Sequence, residues 1–405
     1  MPPPAESPAA GPSPAVIAET HRPQRALPRR DDLAIVLDGG GARAAYQVGL
    51  LRAIAGRYPN LRVPLITGVS AGAINAIFLA TRPCALGAAV ESLTRLWSQL
   101  TVEQVFRVDT ASLTGNIWHW GLGLVSGGRV VRPPLRGLLD TSPLRATLET
   151  ALEPYEDGAL PGIARNLASD ELVALAIVTH SYTTGRTVAW MEGRDVQDWE
   201  RPFRHSRIAP ITVEHVMASA SLPLLFPATQ LGDHWYGDGG IRLVTPLSPA
   251  VHLGANRILA FSTRYSRRGR DVDAAQTRGY PAPMQIAGQL LNAIFLDDHD
   301  RDALTLERVN LLLSHAPPDQ RYGYRPIELV FVRPSRDIGR LAAGYEPKLP
   351  PMLRHLLGGL GSRETSSPDV LSLLAFQPDY LKALIEIGEA DGEANIEAIA
   401  RLIEG

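Results

Sequence analysis

Cysteine is almost missing from this chain: Cys84 is the single one in 405 residues. A lone cysteine excludes any intrachain disulfide framework and fits a reducing compartment. Charge of one sign is missing too. The formal net charge is −2, so no broad basic field argues for nucleic acid or an anionic membrane. No apolar run approaches the roughly 20 residues needed to span a bilayer. Residues 1–30 lack the apolar core of a signal peptide and carry eight prolines, the composition of a disordered tail. What remains is 45% hydrophobic, with a mean hydropathy near zero. That is enough for a sizeable core in one large α/β domain or two smaller ones. These features predict a soluble cytoplasmic protein, any membrane contact being peripheral.

Apolar periodicity predicts a strand at "LAIVL" (33–37), a helix over "ARAAYQVGLLRAIAGRYP" (42–59), a strand at "RVPLITG" (62–68) and a helix from "AGAINAIFLA" (71–80). This is a βαβ unit with parallel strands. Further strands are expected at 172–182, 186–191, 228–237, 256–263 and 327–334. Long helical patterns fill 283–313 and much of 351–404, and "RYSRRGRDVDAAQTRGYPAP" (264–283) reads as a linker. The expected division is a tail over 1–30, a catalytic domain over 31–263 and a mainly helical region over 264–405, whose strand 327–333 is a candidate addition to the main sheet.

Chemistry concentrates in three glycine-rich turns. "GVSAG" (68–72) is a G-x-S-x-G sequence between a strand and a helix, the context of a nucleophile elbow. Gly68 and Gly72 allow close backbone packing, and Ser70 projects at a helix N-terminus that favours developing negative charge. The plain alternative is a serine cap in a glycine turn. "DGGGARAAYQVG" (38–49) places Gly39, Gly40 and Gly41 between strand and helix. If strands 33–37 and 63–67 are neighbours, this loop stands beside Ser70. The N–H groups of Gly40, Gly41 and Ala42 then face a substrate carbonyl oxygen, and Arg43 adds positive charge. A dinucleotide site would need an acidic residue roughly 20 positions on, but none occurs between Asp38 and Glu91. No Gly-Lys-Ser/Thr follows either, which removes a phosphate-binding loop. An oxyanion hole over residues 39–43 is the remaining reading. "YGDGG" (236–240) sets Asp238 ahead of Gly239 and Gly240. An aspartate in that turn is a cap if taken alone, and a candidate general base beside the other two turns.

In that order, Gly39–Arg43, Gly68–Gly72 and Asp238–Gly240 resemble the patatin-like phospholipase family. "LLDTSPLR" (138–145), "MASASLPLLFP" (217–227) and "GDGGIRLVTPLSPAVHLGANRIL" (237–259) are similar to its bacterial members. The resemblance implies a three-layer α/β/α sandwich with a mostly parallel central sheet. It also implies a dyad with Ser70 as nucleophile and Asp238 as base, and acyl-ester hydrolysis without metal or cofactor. Ala44 departs from the glycine usual there, and Asp38 stands where many relatives carry a small residue.

Other residues weigh less. His252, His299, His315 and His355 follow Asp238 in the order of a Ser-Asp-His triad, but none sits in a glycine-flanked loop. "LDDHDRD" (296–302) mimics a metal cluster, yet its crowded carboxylates suit a solvated helix face. Trp118 and Trp120, in "NIWHWGLGLVSGG" (116–128), form either a loop packed on the core or an apolar lid through which lipid enters. The expected function is hydrolysis of phospholipid, lysophospholipid or a related lipid ester. A thioesterase or short-chain esterase shares that chemistry, and a catalytically idle fold serving as an interaction module is the reading from another class.

Overall fold

The side chains of β1 (Arg30–Leu37) alternate between two cores. Leu33, Ile35 and Leu37 enter one; Ala34 and Val36 enter the other. A strand buried on both faces belongs inside a sheet covered by helices on both sides. The computed structural model describes residues 30–82, 85–107, 137–243, 246–266, 286, 298–354 and 369–405. Within them the remaining strands are β2 (Leu65–Val69), β3 (Ala174–Ser181), β4 (Thr187–Gly193), β5 (Glu200–Arg201), β6 (Arg204–Ile208), β7 (Thr229–Leu231), β8 (His234–Asp238), β9 (Ala255–Phe261) and β10 (Glu328–Val332).

The sheet order is β10-β9-β1-β2-β3-β4-β6-β5. The first five of these strands run parallel, with Leu37 beside Gly68 in the β1–β2 register. β1 and β2 are thus neighbours, as the oxyanion reading requires. β4 is antiparallel to β3. β8 is also antiparallel to β3, but it pairs Thr179–Ser181, beyond the stretch Ala174–Val178 taken by β2. β8 therefore continues the line of β2 past its end. The short strands β5 and β6 carry no strong apolar alternation and are not legible in the sequence.

One face of the sheet is covered by α1 (Ala45–Arg57), α2 (Ala71–Thr81) and α3 (Leu86–Gln99), with α4 (Pro378–Ala394) packed on α1. Ala250 and Leu253 from the segment around helix Ser248–His252, and Leu306 of helix Asp298–His315, pack against the opposite face. This is the three-layer α/β/α sandwich. The C-terminal region adds β10 at the sheet edge and α4 to the first layer. α1 and α4 approach closely because Gly49 and Gly388 face them: a Cβ at either would collide with a carbonyl oxygen of the other helix, Ile385 or Tyr46. No helix among the described residues is long and apolar enough to cross a membrane.

Candidate active site

Ser70 is the residue between β2 and α2, with φ 56° and ψ −132°. A non-glycine residue at positive φ is strained, and such strain gathers at functional sites. Tight packing holds the turn. A Cβ at Gly72 would collide with the carbonyl oxygens of Leu37 and Asp38, and one at Gly68 would meet Ala76 at 2.7 Å. The Ser70 N–H donates to Ser219 Oγ at 2.9 Å, and Ser219 Oγ donates to the Val178 carbonyl at 2.7 Å. The helix Val213–Ser219 thereby ties the elbow to β3.

Asp238 is the last residue of β8 and is fully buried. Its Oδ1 accepts from the Gly240 N–H at 2.8 Å, and its own N–H donates to the Ser221 carbonyl at 3.0 Å. Gly239 lies so close to β3 that a Cβ there would collide with the Val178 carbonyl. Asp238 Oδ2 has no hydrogen-bond partner. The Ser70 hydroxyl lies beside this carboxyl, close enough to act on its ionisation. Burial pushes Asp238 up to about 7, against the lowering pull of the Ser70 hydroxyl and the Gly240 N–H. The structure therefore brings Ser70 and Asp238 to one place, at the strand-end edge of the sheet.

The glycine loop reaches the same place from β1. A Cβ at Gly39 would lie 2.9 Å from Ser70 Cβ. Two N–H groups of the loop are already engaged: Gly39 donates to Asp38 Oδ1 at 2.7 Å, and Arg43 donates to the Gly40 carbonyl at 3.0 Å. The five residues 39–43 thus narrow to Gly40, Gly41 and Ala42 as donors for an oxyanion. The Arg43 side chain is buried, and its Nε donates to Ser372 Oγ at 2.7 Å. Ala44 closes the 3-10 turn Gly41–Ala44, where its methyl is buried. Asp38 is a second buried carboxyl. Burial raises it well above the usual carboxylate range, the Gly39 N–H lowers it, and the charge of Asp238 raises it further.

Under the loop lies a buried polar chain that sequence reading missed. Trp97 Nε1 donates to Asn75 Oδ1, Asn75 Nδ2 to Gln47 Oε1, and Gln47 Nε2 to the Asp38 carbonyl, at 2.7, 2.9 and 2.8 Å. The signal was there: Gln47 and Asn75 are polar residues in otherwise apolar helix stretches.

An apolar cleft opens on Ser70, lined among others by Ile74, Trp97, Leu144, Leu148, Leu222 and Phe226. The other candidates are elsewhere. His252 ends its helix ahead of β9, at the strand-start side of the sheet, where its Nδ1 meets the Ser248 carbonyl and its ring stacks on Trp199. Burial pushes it down to about 4. His315 ends its helix ahead of β10, also away from Ser70. His355, Trp118, Trp120 and the His299 side chain lie outside the described residues. Among the described residues no group of His, Cys, Asp and Glu is arranged to hold a metal ion. Asp302 instead accepts from the Leu247 N–H at 2.9 Å.

The family model described as Patatin-like phospholipase matches residues 35–251, a span that holds all three turns. No curated protein matches the chain. Similar solved structures include VipD from Legionella pneumophila, 12% identical, covering 93% of this chain and 67% of that one, with a TM-score of 0.35. Human GIVD cytosolic phospholipase A2 is 12% identical over 92% of this chain and 62% of that one, with a TM-score of 0.45. The type III effector protein ExoU is 13% identical over 88% and 54%, with a TM-score of 0.28. The chain thus spans 54–67% of the length of these structures.

Proposed function

The chain belongs to the patatin-like phospholipase family, and from that premise we propose that it is a serine acyl hydrolase releasing fatty acid from a phospholipid, lysophospholipid or related lipid ester. The observation that carries the reading is the meeting of Ser70, strained on its elbow, with the buried Asp238 at the mouth of an apolar cleft. An acyl chain fits that cleft by chemistry, because its walls are aliphatic and aromatic.

In the proposed cycle Asp238 takes the Ser70 proton as Oγ attacks the ester carbonyl carbon. The N–H groups of Gly40, Gly41 and Ala42, with no partner among the described residues, hold the tetrahedral oxyanion. Collapse breaks the ester C–O bond, and the leaving alkoxide takes the proton back from Asp238. Water then gives a proton to Asp238 and attacks the acyl–Ser70 carbonyl. This frees the carboxylic acid and restores the Ser70 hydroxyl. Every proton passes through a single carboxyl, so no histidine is required.

The test is a panel of lipid and short-chain esters on wild type and Ser70→Ala together. Turnover should vanish in the variant with thermal unfolding unchanged, since the hydroxyl contributes chemistry rather than packing. A fluorophosphonate should label wild type and not the variant. Unchanged kcat in Ser70→Ala would remove the serine from the mechanism. Absence of both label and turnover in wild type would leave an idle interaction module.

A further inference from the structure

The two-residue turn between β5 and β6 breaks a local rule. Arg201 pairs with Arg204 across it, leaving Pro202 and Phe203 at the tip. Phe203 has φ 64°. Proline followed by a residue at positive φ is the pattern of a type II turn, whose second central position takes glycine or asparagine. A bulky aromatic there is strained. Burial does not offset the strain, because the ring is 62% exposed. It meets the Arg242 guanidinium, 4.3 Å from the ring centroid. A broken local rule offset by no more than an exposed cation–π contact points to function.

The position of this tip is informative. Arg204 pairs with Thr187, Thr187 with His180, and His180 with Gly237, the neighbour of Asp238. Phe203 therefore stands on the same sheet edge as the candidate site. Arg242 ends the 3-10 turn that follows Asp238, and its carbonyl accepts from Thr187 Oγ1 at 3.1 Å. Three more exposed apolar side chains share this edge. Tyr182, 45% exposed, packs its ring on Gly237, and Trp235, 40% exposed, stands near the tip of the β7–β8 hairpin. Leu224, 70% exposed at φ 67°, lies between Leu222 and Phe226 of the cleft wall.

We infer that this edge seats the protein on a phospholipid bilayer, with Phe203 inserted and Tyr182 and Trp235 at the headgroup level. The inference rests on the reading of the substrate as membrane lipid. Aromatic rings with a polar atom favour the boundary between apolar and wet phases. Arg242, exposed and set against the inserted ring, supplies a cation that matches a headgroup phosphate. A protein partner would also prize such aromatics. However, it would cover the mouth of the cleft on the same edge, whereas a bilayer delivers substrate into it.

The test uses the full chain carrying Ser70→Ala, so that turnover does not alter the vesicles. Sedimentation with phosphatidylcholine vesicles, with and without phosphatidylserine, measures binding. Adding Phe203→Gly should weaken it about tenfold or more, as expected for losing one buried aromatic. The unfolding temperature should stay level or rise, because glycine suits the backbone. Trp235→Ala should weaken binding in the same direction. Tyr322→Gly is the control: Tyr322 is 91% exposed at φ 49° and precedes β10, the strand at the other end of the sheet order from β5, and its loss should change nothing. In the Ser70 background, Phe203→Gly should keep wild-type kcat/KM on a short soluble ester. Vesicle binding unchanged by Phe203→Gly, or lowered equally by Tyr322→Gly, would overturn the surface. So would a concentration-dependent dimer that Phe203→Gly dissolves. Failure of the hydrolase reading looks different: short-ester turnover would survive Ser70→Ala.

Discussion

In the proposed cycle Asp238 has to carry a negative charge to accept a proton, yet it sits where water cannot stabilise that charge. The fold meets this with one N–H, from Gly240, and leaves Oδ2 for the serine. Two consequences follow from a carboxyl raised to about 7 by burial. As the proposed base, Asp238 would be protonated and idle below that pH, so kcat/KM on a soluble ester should rise with pH through a midpoint near 7. The stability effect has the opposite sense. The folded carboxyl holds its proton more tightly than the unfolded one, whose ordinary value is 3.8. Its ionisation therefore removes stability as pH climbs from about 4 through 7. Asp238→Asn abolishes that loss. The variant should be at least about 10²-fold slower and yet unfold at a higher temperature than wild type at pH 8, with the two close together at pH 4. Thermal unfolding and initial rates across that range check both. A pH-independent difference in unfolding temperature would show that Asp238 is not the titrating group. Asp38 remains in both proteins and loses in the variant only the raising effect of the Asp238 charge, which is smaller than the effect of its own burial.

The elements bring together what no single motif contains. The loop after β1 is clamped from far along the chain: Gly41, at φ 55°, faces the Leu373 carbonyl so closely that a Cβ would collide with it. Arg43 donates to Ser372 in the same helix, Asp369–Leu374. Gly41→Ala should push the loop or that helix away and misplace the proposed oxyanion donors. We expect kcat to fall by about 10²–10³, with a smaller change in KM and slower fluorophosphonate labelling. Ser372→Ala, which removes one acceptor and leaves the loop its space, should cost less. Retained kcat in Gly41→Ala would separate the loop from the chemistry.

This clamp also marks the limit of what the sequence discloses. Gly39–Gly41, Gly68–Gly72 and Asp238–Gly240 stand out because tight turns restrict residue choice locally. The parallel neighbours β1 and β2 follow from a short connection through one helix. The contact of Arg43 with Ser372 spans most of the chain and leaves no periodicity. The placement of β8 past the end of β2 depends on a hairpin reaching beyond its neighbours, which composition does not encode. Gln47 and Asn75 sit within helices whose apolar spacing explains their neighbours and hides them.

At the scale of the whole molecule, the segments after residue 298 finish the sheet and its first helical layer. β10 pairs along β9. Asp391 Oδ2 accepts from the Tyr46 hydroxyl and from the Ser335 N–H, both at 2.9 Å, and so joins three distant stretches at one buried carboxylate. Arg257 of β9 donates to the Leu402 and Ile403 carbonyls at the end of the final helix. With α1 and α4 in contact through Gly49 and Gly388, the N-terminal βαβ unit has its outer layer supplied by the C-terminus. Such interlocking predicts one cooperative unfolding transition for the sheet and the C-terminal helices together. Gly388→Ala tests it, because the added methyl must displace the Tyr46 carbonyl or separate the two helices. The variant should melt at a lower temperature, with far-UV circular dichroism and tryptophan fluorescence still coincident, since Trp97 reports on the layer that the helix covers. Removing residues 369–405 should abolish cooperative unfolding and ester turnover alike. Two separated transitions in the full chain would show instead that the C-terminal region is a folding unit of its own. So would a truncated chain that melts cooperatively and hydrolyses ester.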